Sequence, residues 1–377
     1  MSLDPRLQAF KDITLRHEKI KRAFEAALDI DAYFGQEKIV ILTGATGVGK
    51  STLCQRLVTE IQARFCQEME DDPGFIPVIY VRIPAPINGD FNWKDGMIRI
   101  LEQFNEPLIR RKVIQAPVIE LDGEVVGRAN KLVREELRRS VRNCIRHRKT
   151  KLMIIDEASH LLISKSRSFF YQQFEMIKSL SQDFGVPLLL SGAYDLLDIR
   201  DFNGQLIRRT KVIHFPRYRW EEVVDPRSAA GQSFHHVIHT LLEKMSVAKS
   251  DDLGNHVDYF YLNSLGCIGL LKDWFYDTLH LAIKHDQPIS LELFEQTKRS
   301  KKDLHRISLE IKAGESRLDD GDIASLAKSL GMTAIPNPFG DPKPLSSTPY
   351  PARPKGNRSP GKRGPSRDLS GEQSYVE

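Results

Sequence analysis

Gly44-Ala45-Thr46-Gly47-Val48-Gly49-Lys50-Ser51 fits the phosphate-binding pattern G-x-x-x-x-G-K-[ST] in full, with Thr52 next in line. In such a run the glycines let the backbone curl. Its N–H groups and the positive end of the following helix then surround a polyphosphate. Lys50 would reach the β- and γ-phosphates of a nucleotide, and the Ser51 hydroxyl would ligate Mg²⁺. A second run, Leu152-Met153-Ile154-Ile155-Asp156-Glu157, ends four apolar residues in two carboxylates. Asp156 suits the Mg²⁺ shell, and Glu157 suits orienting and polarising an attacking water. Three more groups could join them. Ser191 closes the apolar run Pro187–Leu190 and could bond the γ-phosphate or the water, or could belong only to a turn. Arg208-Arg209 stands before the strand-like Lys211–Phe215, as a finger for a neighbour's phosphate or as a surface pair. Lys272 lies on a later helix and could approach the phosphates or be solvated.

These residues need elements to hold them. Lys38–Thr43 is a short β-branched run that predicts a buried strand before the loop. Leu53, Leu57, Val58 and Ile61 have helical spacing after it. Phe75–Pro84 reads as a second buried strand stopped by proline, and Met97, Ile98, Ile100, Leu101 and Phe104 as a helix face. Residues 5–35 are helical in pattern and could cross the base of a nucleotide or simply cover a sheet edge. From 219 to 300 the apolar spacing is helical throughout. His235 and His239 are one turn apart but have no intervening Glu and no third ligand, so they read as structural histidines.

The chain has 377 residues, 41% hydrophobic and 28% charged, which describes a globular protein with one or two domains. Four scattered cysteines without a C-x-x-C pair read as reduced thiols. No apolar run approaches a membrane span, and the first residues have no signal-peptide pattern, so a cytoplasmic location without membrane contact is expected. The net charge of +5 is unevenly spread. Val118, Ile119 and Leu121 on one side of Asp122-Gly123, and Val125 and Val126 on the other, predict a hairpin. Arg110, Arg111 and Lys112 precede it, and Arg128 and Lys131 follow. From Arg128 to Lys151 there are ten Lys/Arg against two Glu, with an apolar stripe at Val133, Leu137, Val141, Cys144 and Ile145. Arg138 and Arg142 belong to this run, which either meets a phosphate backbone or is a solvated face. From about 335 to 377 a Pro/Gly/Ser/Lys/Arg-rich composition predicts a disordered tail.

Phosphate loop, Asp-Glu strand, Ser-ended strand, late Arg pair and helical segment, in that order, resemble an AAA+ ATPase. Within that class the chain is similar to the TniB/TnsC group of bacterial transposition regulators over roughly residues 5–300. The stretches that carry this are Ile41–Ser51, the Val78-to-Pro84 strand, Met153–Leu162, Gly204–Arg209 and Gly266–Gly269. The resemblance implies an α/β AAA+ core, a parallel sheet between helices, with a smaller helical lid. With the residue patterns above, the expected division is a helical segment over 1–35, a core over 36–218 with a basic hairpin and helix insertion at about 107–150, a lid over 219–312 and an extension over 313–377. The insertion's hairpin and the tail are departures from the family pattern. The resemblance further implies an ATPase using ATP and Mg²⁺ that assembles as a ring or filament on double-stranded DNA. There it would link a TniQ-like or RNA-guided target selector to the transposase. Ser191 then looks like a sensor and Arg209 like the finger, while Gly269-Leu270-Leu271-Lys272 departs from a clear sensor arginine. Two other functions use the same residues: an origin-initiator or helicase-loader ATPase, and a signalling ATPase switch that binds only proteins.

Overall fold

A computed structural model of the chain describes residues 4–86, 89–109, 123–164, 167–201, 204–225, 227–249, 253–319 and 323–332. Five strands form one parallel sheet: β1 (Ile39–Thr43), β2 (Val78–Arg82), β3 (Leu152–Asp156), β4 (Leu188–Gly192) and β5 (Thr210–His214), in the order β2-β3-β4-β1-β5. β1, β3 and β4 are buried along their whole length, as near-continuous apolar strands of a parallel sheet covered on both faces must be. Alternation sorts their side chains between two cores. Ile39, Ile41, Ile79, Val81, Met153, Ile155, Leu188 and Leu190 face one. Val40, Leu42, Val78, Leu152, Ile154, Leu189 and Ile213 face the other.

Helices α1 (Pro5–Lys11) and α2 (Glu18–Leu28) precede the sheet, and α3 (Lys50–Arg64) leaves the phosphate loop. α3 turns Leu53, Cys54, Leu57 and Ile61 onto the second core. α4 (Trp93–Gln103), α5 (Gly123–His147) and α6 (Arg167–Phe184) cover the first. α7 (Gly204–Arg209) runs directly into β5. After β5 come α8 (Ala229–Lys244), α9 (Val257–Ser264), α10 (Ile268–His285), α11 (Leu291–Thr297) and α12 (Lys301–Ser316). A third, aromatic-rich core joins α8 to α11 and includes Phe260, Trp274, Phe275 and Phe294. Leu7 and Phe10 of α1 are buried in it, whereas Ile20 and Phe24 of α2 belong to the sheet's second core. The amino-terminal helices therefore bridge two cores.

Residues 1–319 make one compact unit. In the second unit, from Asp320 onward, the described part is a short helix, α13 (Ile323–Ser329). The tail read as disordered lies outside the described residues. No described helix is long and apolar enough to cross a membrane. Cys54, Cys144 and Cys267 are buried and Cys66 is exposed, and none of the four is in a disulfide.

The expected hairpin is corrected on its second arm. Gly123 opens α5, and Val125 and Val126 lie within that helix. Its stripe at Val133, Leu137, Val141, Cys144 and Ile145 is buried on the first core, so burial at helical period overrides the local turn signal. The first arm, Val118 to Leu121, and Arg110, Arg111 and Lys112 lie outside the described residues, as do the side chains of Arg128 and Lys131.

Candidate nucleotide site

The phosphate loop sits at the C-terminal edge of the sheet between β1 and α3, where ligands of open α/β sheets bind. Gly47 (φ 78°) and Gly49 (φ 108°) take left-handed conformations that a side chain would strain. The first N–H groups of α3 have no carbonyl four residues back within the helix and point out of its end. Lys50 Nζ donates to the carbonyls of Gly44 and Ala45, both at 2.9 Å. Burial pushes its ammonium below the usual lysine range, and Glu157 and Asp156 partly offset that.

Asp156, almost wholly buried, ends β3, and Ser191 stands on the neighbouring β4. Ile155 pairs with Leu190, so the next residues, Asp156 and Ser191, are level and share the face of Ile154 and Leu189. Cys54, one turn into α3 from Ser51, interacts with both, and burial holds its thiol up at about 12. The first turn of α3 thus covers Asp156 and Ser191. The Ser191 hydroxyl is fully buried with no nitrogen or oxygen partner among the described residues. A buried polar oxygen without such a partner, beside a buried carboxylate and the Ser51 turn, fits a phosphate and a hard, oxygen-ligated cation. No cluster of three or more His, Cys, Asp or Glu suited to a metal occurs among the described residues, and His235 and His239 are not part of one.

Glu157 follows at φ 54°, ψ 36°, a left-handed conformation that costs a non-glycine residue about 1–3 kcal/mol and is found where function over-determines the backbone. Its carboxylate meets Arg82 of β2 at 3.3 Å. Two residues earlier on that strand, Tyr80 donates to Asp156 Oδ2 at 2.7 Å. Sequence reading passed over both β2 residues. Polar residues at 80 and 82, two apart in an otherwise apolar strand, were the available signal. A further pair went unread: Ser159 Oγ donates to Asp195 Oδ1 at 2.6 Å and accepts from Ala193 N–H at 3.1 Å.

Lys272 stands beside the phosphate loop and is held by backbone carbonyls. Its ammonium donates to the carbonyls of Lys11 (2.7 Å) and Ile13 (2.6 Å). The cation therefore satisfies the carbonyl end of α1, an arrangement helix C-termini favour. Lys272 lines a cavity of about 280 Å³ together with Ile13, His17, Val48, Gly49 and Thr52. The segment between α1 and α2 thus flanks the phosphate loop. Beside Lys272, Gly269 N–H donates to Gly47 O at 2.5 Å, and a Cβ at 269 would run into that carbonyl. Gly269 lets α10 touch the phosphate loop directly.

His17 accepts from Ile20 N–H as the α2 cap and contacts the Tyr218 hydroxyl. Burial, with Lys19 adding, pushes its imidazole down to about 4. The fold holds it neutral, while the unfolded chain protonates it near 6.5. Its stability contribution is complete above pH 6.5 and is lost as pH falls from 6.5 to about 4. Urea unfolding at pH 5 should show a loss of about 2 kcal/mol relative to pH 7, at 1.36 kcal/mol per unit. His17→Gln should shrink that difference, and an unchanged difference would assign it to other groups.

Arg208 and Arg209 end α7, and Thr210 pairs with Ile39 at the start of β1. They stand at the sheet edge opposite the phosphate loop, about 13 Å away along a five-residue strand. Arg209 pairs with Glu37 at 3.2 Å, and Arg208 is exposed. On α5, Arg142 is exposed and lines a cleft with Arg146, Lys149 and Lys151. Arg138 of the same helix pairs with Asp183 and Ser179 of α6.

Residues 33–199 match the AAA domain family model. With the parallel sheet and this site, the fold is an AAA+ P-loop ATPase core, and the chain is an ATPase. It is similar to the ORC2 protein of Aeropyrum pernix (13% identity, TM-score 0.48, covering 79% of this chain and 72% of that one). It is also similar to a Walker-type ATPase of Pyrococcus abyssi (14%, 0.44, 85% and 80%) and to domain III of the Thermotoga maritima replication initiation protein DnaA (13%, 0.43, 81% and 99%). No curated protein matches this chain.

Proposed function

We propose that this ATPase is an ATP-dependent, DNA-binding regulator of transposition that assembles through its nucleotide. The observation that carries the assembly is the placement of Arg208 and Arg209. They lie a strand's length from their own phosphate loop, so a γ-phosphate they touch belongs to a second copy. A head-to-tail contact of this kind closes into a ring or continues as a helical filament. Within one subunit, Lys50 and the α3 N-terminus hold the phosphates, Ser51 and Asp156 hold Mg²⁺, Ser191 bonds the γ-phosphate or the water, and Glu157 orients the water. A Mg²⁺ held by Ser51 and Asp156 would supply positive charge against the phosphates. Hydrolysis removes the group that joins the subunits, which makes assembly reversible.

Support for DNA as partner comes from α5. Its apolar stripe is buried, and Arg134, Arg139, Arg142 and Arg146 project from its exposed face. Contacts of that type neutralise phosphates without reading bases. The link to a transposase and a TniQ-like selector rests on the sequence resemblance to the TniB/TnsC group. Fluorescence anisotropy with unrelated duplexes and a non-hydrolysable ATP analogue tests the DNA claim. Similar affinities are expected on every duplex, with log K falling against log salt by about 0.9 per phosphate contact. Strong preference for one duplex would favour an origin-initiator ATPase. Binding indifferent to salt, or no binding, would favour a switch that acts on proteins alone.

A further inference from the structure

The edge strand β2 reaches into the site through one hydroxyl. Tyr80 pairs with Ile154 across the β2–β3 ladder, and Asp156 is two residues further along β3 on the same face. The phenol ring, partly buried against the second core, spans that diagonal and donates to Asp156 Oδ2 at 2.7 Å. Cross-strand diagonals of this kind lie within reach of an aromatic side chain. Asp156 itself is 1% exposed.

We propose that Tyr80 is a positioning residue for the metal-nucleotide site, acting through the Asp156 carboxylate. The inference rests on the reading of Asp156 as the metal carboxylate. A carboxylate at the end of a strand is free to rotate about its last bond, and each orientation presents different oxygens to a cation. The Tyr80 hydrogen bond fixes that rotation. It commits Oδ2 to the edge strand and leaves Oδ1 for the cation. Partners of this sort, one step out from the metal, are worth about 10–100-fold in metal affinity.

Tyr80→Phe removes the hydroxyl and keeps the ring that packs on the core. Binding of a fluorescent ATP analogue would be followed in EDTA and across a MgCl₂ titration, with Mn²⁺ binding read separately by electron paramagnetic resonance. The expected result is nucleotide affinity in EDTA within about twofold of the parent, with about tenfold more metal needed for half-saturation. The same substitution in an Asp156→Asn background should leave the metal requirement of that background unchanged, because the carboxylate it orients is gone. Metal dependence within twofold of the parent, or an equal loss in EDTA and in Mg²⁺, overturns the proposal. So does a Tyr80→Phe effect of the same size on Asp156→Asn. Thermal unfolding checks the fold; if Tyr80→Phe melts early, Tyr80→His, which keeps a ring donor, should recover part of the metal affinity, and no recovery counts against the proposal. Should the parent bind nucleotide without any metal dependence, it is the assignment of Asp156 that fails. A normal parent with an unaltered variant rejects Tyr80 alone.

Discussion

Glu157→Gln is expected to lower ATP turnover by roughly 10²–10⁴-fold while nucleotide binding survives, the scale for losing a positioned general base. Gln keeps the length and the hydrogen-bonding end of the side chain but cannot accept a proton from water. The strained left-handed backbone at 157 swings this side chain out at the strand end, beside Asp156 and within reach of Arg82. The Arg82 pair does not lock it in place. Both side chains are well exposed, 67% and 39%, and pairs of that kind contribute at most about 1 kcal/mol. Phosphate release and equilibrium binding of a fluorescent ATP analogue, measured on one preparation, separate the two effects. Lys50→Ala is the contrasting variant, because it removes the charge that holds the phosphates and should fail at binding. Turnover of Glu157→Gln within tenfold of the parent would move water activation elsewhere, with the Ser159–Asp195 pair as the next group to test.

The contrast between what was read from sequence and what was not follows from how far apart in the chain the interacting groups lie. The phosphate loop, its strand and its helix are contiguous, so the single run 39–64 contains their whole logic. The Asp156-Glu157 pair and Ser191 are legible because each ends an apolar strand, and strand ends in a parallel sheet gather at one edge. Gly123 shows where local logic breaks down. Asp-Gly between apolar residues signals a turn, but apolar residues recurring every three or four positions from Val133 to Ile145 bury a helix face, which outweighs one turn. The partners that Lys272 and Arg138 take within the protein were illegible for another reason. These partners, the end of α1 and Asp183 of α6, are 259 and more, and 45, residues away in the chain, and no local pattern announces them. Tyr80 belongs with them, since its partner Asp156 is 76 positions on. Side chains that hold other side chains in place are set by tertiary register, and they leave only a faint mark: a polar residue where the strand should be apolar.

Arg209→Ala is expected to cost about 10³-fold or more in turnover, the range measured for arginine fingers, and the lost activity should be recoverable from a different subunit. The geometry behind this is the parallel register of β5 on β1: Thr210 beside Ile39, His214 beside Thr43. The phosphate loop begins after Thr43, so the arginines that precede Thr210 are at the other end of the same two strands. No rotamer of an arginine spans that length and the loop beyond it. Arg209 leaves Glu37 to reach a neighbour at little cost, since that pair is about 40% exposed on the arginine side and worth at most about 1 kcal/mol. Arg208, exposed on the same turn, should show the smaller loss. The decisive measurement mixes two inactive variants. Lys50→Ala keeps the arginines and lacks the phosphate grip; Arg209→Ala keeps the grip and lacks the finger. In a mixed assembly an intact site meets an intact arginine wherever an Arg209→Ala subunit receives a Lys50→Ala neighbour. Turnover should therefore return to a fraction of the parental rate, rising with total protein concentration. If mixing restores nothing although the two variants associate with each other in the presence of ATP, the arginine acts within its own subunit or only in folding, and the head-to-tail site is wrong. A loss that appears in Arg208→Ala and not in Arg209→Ala keeps the shared site and exchanges the two roles.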